Sequence, residues 1–144
     1  MQQENKEFAL SNFKPYVMGK NEEYMSEGQL KHFTGILQNW MQELMEEVDR
    51  TKKYMQAELN NHADPSDRAS QEEEFSLELR TRDRERKLIK KIEKTILLIE
   101  NGDYGFCEAC GVEIGIRRLE ARPTAELCID CKTLAEIKEK QLGV

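Results

Sequence analysis

The chain has 144 residues, 35% of them charged, and a net charge of −6. So charged a composition leaves little apolar area for one deep core. The acidic balance also argues against non-specific binding along a nucleic-acid backbone, which a basic face carries. No run of about eighteen apolar residues is present, so no membrane-spanning helix is expected. Residues 1–10, with Glu4 and Glu7, lack the apolar stretch of a secretory signal. A cytoplasmic location is the expectation, and there thiols stay reduced.

In residues 1–25 the apolar positions Phe8, Leu10, Phe13, Tyr16, Val17 and Met18 are irregular, and Pro15 and Gly19 interrupt them. This segment is expected to pack at the base of a helical hairpin or to stay partly mobile. Ser26 suits a helix N-cap. From there Leu30, Phe33, Leu37, Trp40 and Leu44 recur at steps of three and four, then shift to Val48, Thr51 and Met55. After the break Asp64-Pro65-Ser66-Asp67-Arg68-Ala69, a second segment carries Phe75 and Leu79 on its inner face, then Ile89, Ile92, Ile96 and Ile99. Folding the chain back at the break sets Leu30 opposite Ile99, Phe33 opposite Ile96, Leu37 opposite Ile92 and Trp40 opposite Ile89. The spacing predicts an antiparallel coiled-coil hairpin over 26–101, tip at 64–69, with arms of roughly 50 Å.

At the tip, Asp64 and Pro65 suit a helix start and Asp67 suits the positive end of the helix dipole. An acidic tip aimed at a cationic site in a partner would use the same residues, and both readings stand. The run from Arg80 to Lys87 has no apolar residue. The register sets Arg82 against Glu47 and Arg86 against Glu43, either as a polar patch that fixes register or as a docking surface. Asn101-Gly102-Asp103 ends the arm by ordinary C-terminal chemistry.

The most specific chemical signal is Cys107-x-x-Cys110 and Cys128-x-x-Cys131, with seventeen residues between the pairs. Two such knuckles converge on one tetrahedral Zn²⁺, and four thiolates close its shell, which makes the metal's role structural. Ile114, Ile116 and Leu119 offer a small core to a module over 102–131. Residues 132–144 read as a short C-terminal helix with Leu134, Ile137 and Gln141 on one face. His32 and His62 lie outside the cysteine module and read as surface residues. Lys91, Arg122 and Lys132 are either scattered solvated charges or a pocket for a polyphosphate. The fold class is therefore mainly α: a long antiparallel hairpin, a small four-cysteine zinc module and a short last helix.

The tip D-P-S-D-R-A, the run Q-E-E-E-F-S-L-E-L-R-T-R-D-R-E-R-K-L-I-K-K-I-E-K and the block C-G-V-E-I-G-I-R-R-L-E-A-R-P-T-A-E-L-C-I-D-C-K closely resemble the DksA/TraR family. These are bacterial transcription factors that bind RNA polymerase. The resemblance covers roughly residues 22–142. It implies a hairpin that enters the polymerase secondary channel, with Asp64, Asp67 and Ala69 acting near the catalytic centre. It further implies weakened open complexes, repression of ribosomal RNA promoters and activation of some amino-acid biosynthesis promoters. The positions matching the family's site for ppGpp, shared with polymerase, are Leu88, Lys91, Arg122 and Lys132. A non-enzymatic monomer that reads no DNA sequence is expected.

Three other classes compete with this one. A transcript-cleavage factor also sends an acidic coiled coil down the channel but lacks this cysteine quartet. A nucleic-acid-binding zinc module would need a continuous basic face, which Asp83, Glu85, Glu93, Glu113 and Glu120 interrupt. A coiled-coil scaffold would self-associate and bury the tip.

Overall fold

The computed structural model of the chain describes residues 13–59 and 65–143, except for the side chains of residues 65–68. It is mainly α, as the spacing predicts. The helices are α1 (Glu27–Leu59), α2 (Pro65–Glu100), α3 (Ile116–Ala121) and α4 (Ile129–Gln141). Among the described residues the extended pairing is a single antiparallel bridge, Phe106 to Glu113. The chain divides into two compact units, Met1–Gln38 with Lys94–Val144, and Asn39–Glu93.

The first unit is built around the start of α1. Ser26 does stand at the N-cap, where its carbonyl accepts the Leu30 N–H at 2.9 Å. Its hydroxyl accepts only a long bond from the Gln29 N–H, 3.4 Å, and donates to Glu22 Oε2 at 2.6 Å. Gln29 is fully buried, yet its side chain is satisfied. Its amide nitrogen donates to Glu22 at 2.7 Å and to the Glu23 carbonyl at 3.0 Å, while its Oε1 accepts the Met25 N–H at 2.7 Å. Ser26-x-x-Gln29 is thus a capping box displaced by one residue. Glu22 also accepts from the Tyr16 hydroxyl at 2.6 Å and the Gly19 N–H at 2.9 Å. The Ser26 bond first, then those from Tyr16, Gly19 and Gln29, outweigh burial and hold its carboxyl down at about 2.

Phe33, Ile36, Tyr104, Ile114, Ile116 and Leu119 form the buried core here, with Phe13, Tyr16 and Tyr24 packed against it. His32 corrects the surface expectation. Its Nε2 donates to Glu120 Oε2 at 2.9 Å, and its ring lies against Phe13, Tyr16 and Phe33. His62 falls outside the described residues. The Gly102 N–H bonds the Ile99 carbonyl at 3.2 Å and the Asp103 N–H bonds that of Leu98 at 2.8 Å. This is a Schellman stop, made possible by Gly102 at φ 79. On α4, Leu134 and Ile137 lie on an exposed rather than a buried face, and that helix buries no residue.

The second unit pairs the distal parts of α1 and α2. In this unit the half-buried and buried positions of α2 are Gln71, Phe75, Glu78, Arg82, Glu85, Leu88, Ile89 and Ile92, and all but Leu88 follow steps of four and three. The seam therefore passes through Glu78 and not Leu79, which is 46% exposed. The reason is the constant alternation of steps, which carries the contact line through polar residues. Gln71 Nε2 donates to the Glu58 carbonyl at 2.7 Å. That pairing continues the register that sets Trp40 against Ile89. Glu47, set against Arg82 by the register, is bonded by Arg50 of its own helix. Arg82 Nε and Glu85 Oε2 are buried without a hydrogen-bond partner.

Candidate functional site

The cysteine module comes directly after α2 in the chain. Tyr104 is buried and its hydroxyl donates to the Pro123 carbonyl at 2.7 Å, tying the first knuckle to the approach of the second. Gly105, at φ 95, lies so near Tyr24 and Met25 that an added Cβ would come within 2.9 Å of the Tyr24 hydroxyl. That hydroxyl donates to the Gly105 carbonyl at 2.7 Å. The first knuckle closes through Cys107 N–H to the Val112 carbonyl and Gly111 N–H to the Cys107 carbonyl, both 2.9 Å. The Glu108 N–H reaches the Glu126 carbonyl at 2.8 Å and couples the two knuckles. Cys128 is the N-cap of α4, so the second pair straddles the first turn of that helix.

These turns bring the sulfurs of Cys107, Cys110, Cys128 and Cys131 within 4.8 Å of one another. Cys110 and Cys128 are 3.7 Å apart. A tetrahedral Zn²⁺ with bonds of about 2.3 Å requires sulfur–sulfur edges of about 3.8 Å. The electrostatics also call for a cation. The Cys128 backbone N–H, with those of Cys110 and Ala109 and against burial, draws the Cys107 thiol down to about 6. The neighbouring thiols of Cys128, Cys110 and Cys107 push Cys131 up to about 12. At Cys110 the Val112 N–H pulls downward, but burial and the adjoining thiols raise it on balance. The quartet cannot ionise together unless a dication neutralises it. The donor set fits one structural zinc, with no ligand position left for water.

The other expected residues fall in different places. Asp64 lies outside the described residues, Asp67 belongs to the first turns of α2, and Ala69 is exposed on that helix. Leu88 is half-buried and Lys91 exposed on α2, in the helix-pair unit. Arg122 and Lys132, both half-buried, belong to the zinc-bearing unit, where Lys132 Nζ is 3.9 Å from Glu136. Sequence reasoning missed Glu120. This residue is 4% exposed and accepts from the Tyr16 N–H at 2.7 Å, from His32 and from Arg117. Burial pushes its pKa up, and those donors more than reverse the push. No local spacing links Glu120 to His32, eighty-eight residues away.

Two family models match the chain. One is described as the DnaK suppressor protein DksA, N-terminal domain, over residues 29–99. The other is the prokaryotic dksA/traR C4-type zinc finger, over residues 102–136. The chain belongs to the DksA/TraR zinc-finger family. Among the curated members, the RNA polymerase-binding transcription factor DksA of Salmonella typhimurium LT2 is 66% identical over 135 residues, covering 94% of this chain and 89% of that protein. The protein of the same name from Haemophilus influenzae is 63% identical over 134 residues, covering 93% and 92%. The solved structure of the family's transcription factor DksA2 from Pseudomonas aeruginosa is 35% identical, with a TM-score of 0.77, covering 94% of this chain and 98% of that one.

Proposed function

We propose that this chain is a non-enzymatic transcription factor that binds bacterial RNA polymerase through its secondary channel and destabilises open complexes. The observation that carries the reading is the 66% identity, over nearly the whole chain, to proteins named as RNA polymerase-binding transcription factors. In this reading Asp64, Asp67 and Ala69 act near the catalytic centre. Charge acts more strongly in a low-dielectric channel than in water, so an acidic tip biases one polymerase state over another. That is a shift of populations, set by the difference in affinity for the two states. Leu88, Lys91, Arg122 and Lys132 contribute to binding ppGpp together with polymerase. The nucleotide deepens repression of ribosomal RNA promoters and supports activation of some amino-acid biosynthesis promoters.

Each segment has its part. Residues 26–101 form the hairpin with its tip at 64–69, residues 102–131 the zinc module, and residues 132–144 the last helix, with 1–25 as a separate N-terminal segment. The zinc holds the knuckles in place and takes no part in chemistry. The chain acts in the cytoplasm as a monomer and reads no DNA sequence. Among the described residues no helix is long and apolar enough to cross a membrane.

The test is equilibrium binding of labelled protein to RNA polymerase, wild type against Asp67→Asn, with a gel shift on promoter DNA in the absence of polymerase. The expected result is tight binding by both proteins and no shift of DNA alone. Binding to bare DNA, or none to polymerase, would overturn the reading.

A further inference from the structure

In the helix-pair unit, Ile92 is the one described residue that is buried among Asn39–Glu93. Apolar side chains near the distal ends are poorly covered: Leu59 is 55% exposed, Leu77 58% and Leu79 46%. In mid-seam, Arg82 Nε and Glu85 Oε2 find no partner. Beyond that point Met55 and Phe75 supply only half-buried area, so packing alone holds the distal ends weakly.

Hydrogen bonds between described residues join the helices there. Gln71 Nε2 donates to the Glu58 carbonyl at 2.7 Å, and the Tyr54 hydroxyl donates to Glu74 Oε1 at 2.7 Å. The first has a particular value. It runs from a side chain of α2 to the backbone of α1 at Glu58, so it fixes the register of one helix on the other. Gln71 therefore ties α2 to the α1 backbone at Glu58. Gln71 also stands one helical turn from Asp67 on the same helix. A rotation or slip of the two ends, which these bonds resist, would displace Asp67 and Ala69 together. The Glu74 bond keeps the Tyr54 proton in place, with its pKa raised to about 12 by that bond first and by burial second.

We propose that Gln71 is a positioning residue for the tip, assisted by the Tyr54–Glu74 bond: it bonds the α1 backbone across the seam and so holds the start of α2, with Asp67 and Ala69, in the register that acts on polymerase. This rests on the polymerase-binding function proposed for the chain and deepens it. The bonds act on the tip's effect and not on docking, so affinity and regulation separate.

The experiment compares wild type, Gln71→Leu, Gln71→Lys and Tyr54→Phe in three readouts. These are affinity for polymerase, lifetime of open complexes at saturating protein, and thermal melting of the free chain. Leucine removes the donor at similar volume, whereas lysine restores a long side-chain donor for the Glu58 carbonyl. The expected result is that Gln71→Leu binds within about twofold of wild type but loses about fivefold of the lifetime shortening. Gln71→Lys recovers most of that loss. Tyr54→Phe, an exposed change that leaves the fold intact, loses about twofold. Wild-type regulation by both Gln71→Leu and Tyr54→Phe would overturn the positioning role. So would equal loss of affinity and regulation in the leucine and lysine variants alike, which is the mark of a merely structural residue. Should wild type itself leave the lifetime unchanged while binding polymerase, the underlying function fails instead.

Discussion

The zinc-bearing unit and the helix-pair unit are made stable in opposite ways. The first buries Phe33, Leu37 and Leu119 completely, satisfies a buried Gln29 and a nearly buried Glu120, and fastens its loops through four sulfurs. The second runs a seam through Glu78, Arg82 and Glu85, and leaves Arg82 Nε and Glu85 Oε2 buried and unpaired. Carboxylates report the contrast. In the first unit Glu22 and Glu120 are lowered by donors, whereas in the second Glu43 and Glu85 are raised, chiefly by burial. One region is over-determined, and the other retains little beyond its register.

Removal of the metal should break the comparison most strongly. Structural zinc supplies on the order of 10 kcal/mol of binding free energy, much of it folding free energy. Chelation, or Cys107→Ser with Cys128→Ser, should abolish cooperative melting of the zinc-bearing unit. Circular dichroism and metal content measured together check this, with one zinc per chain expected before chelation. Next comes core truncation. Leu119→Ala should cost about 2–5 kcal/mol, and Leu44→Ala, in the half-buried seam, no more than about half of that. Denaturant melts of the two variants give the ratio.

Much of this was legible in the sequence. The heptad steps from Leu30 to Leu44 and from Ile89 to Ile99 locate the inner faces of both helices, and the paired C-x-x-C spacing locates the metal. Leu79 misled because an apolar residue near a seam is not in it unless the three-and-four alternation reaches it. The polar residue Glu78 holds that place. His32 misled because its environment is made by Glu120 and Tyr16, which lie far along the chain or on an irregular strap. The Glu22 cluster had one readable sign, Ser26-x-x-Gln29, a capping box whose consequences reach back to Tyr16.

Acid should move the two regions in opposite directions. Glu22 has a folded pKa of about 2 against 4.5, so its bonds stabilise the fold above the ordinary carboxylate range. That contribution drains away as pH falls from about 4.5 toward 2. Glu120, lowered by Tyr16, Arg117 and His32 despite its burial, acts with the same sign. Glu85 is raised by burial, then by Glu47 and Glu78, and Glu43 by burial and Glu46. Their ionised forms weigh against the folded helix pair at neutral pH, and protonation through the raised values relieves it. Hydrogen exchange at pH 7 and pH 4, corrected for intrinsic rates, should show protection falling around residues 16–29 relative to residues 43–85. Loss in equal measure would contradict these assignments. The smallest effect is expected from Glu85→Met, which replaces a half-buried carboxylate with one unpartnered oxygen and should stabilise the helix pair by about 1 kcal/mol.

The most direct measurement is the lifetime of RNA polymerase open complexes at a ribosomal RNA promoter. It is taken with the zinc-loaded chain, with and without ppGpp, and with Asp67→Asn alongside. A polymerase regulator with an acting tip should give a lifetime shortened by the wild-type chain, shortened further by ppGpp and restored by the substitution. An unchanged lifetime at saturating protein, or an Asp67→Asn variant as active as wild type, would contradict it.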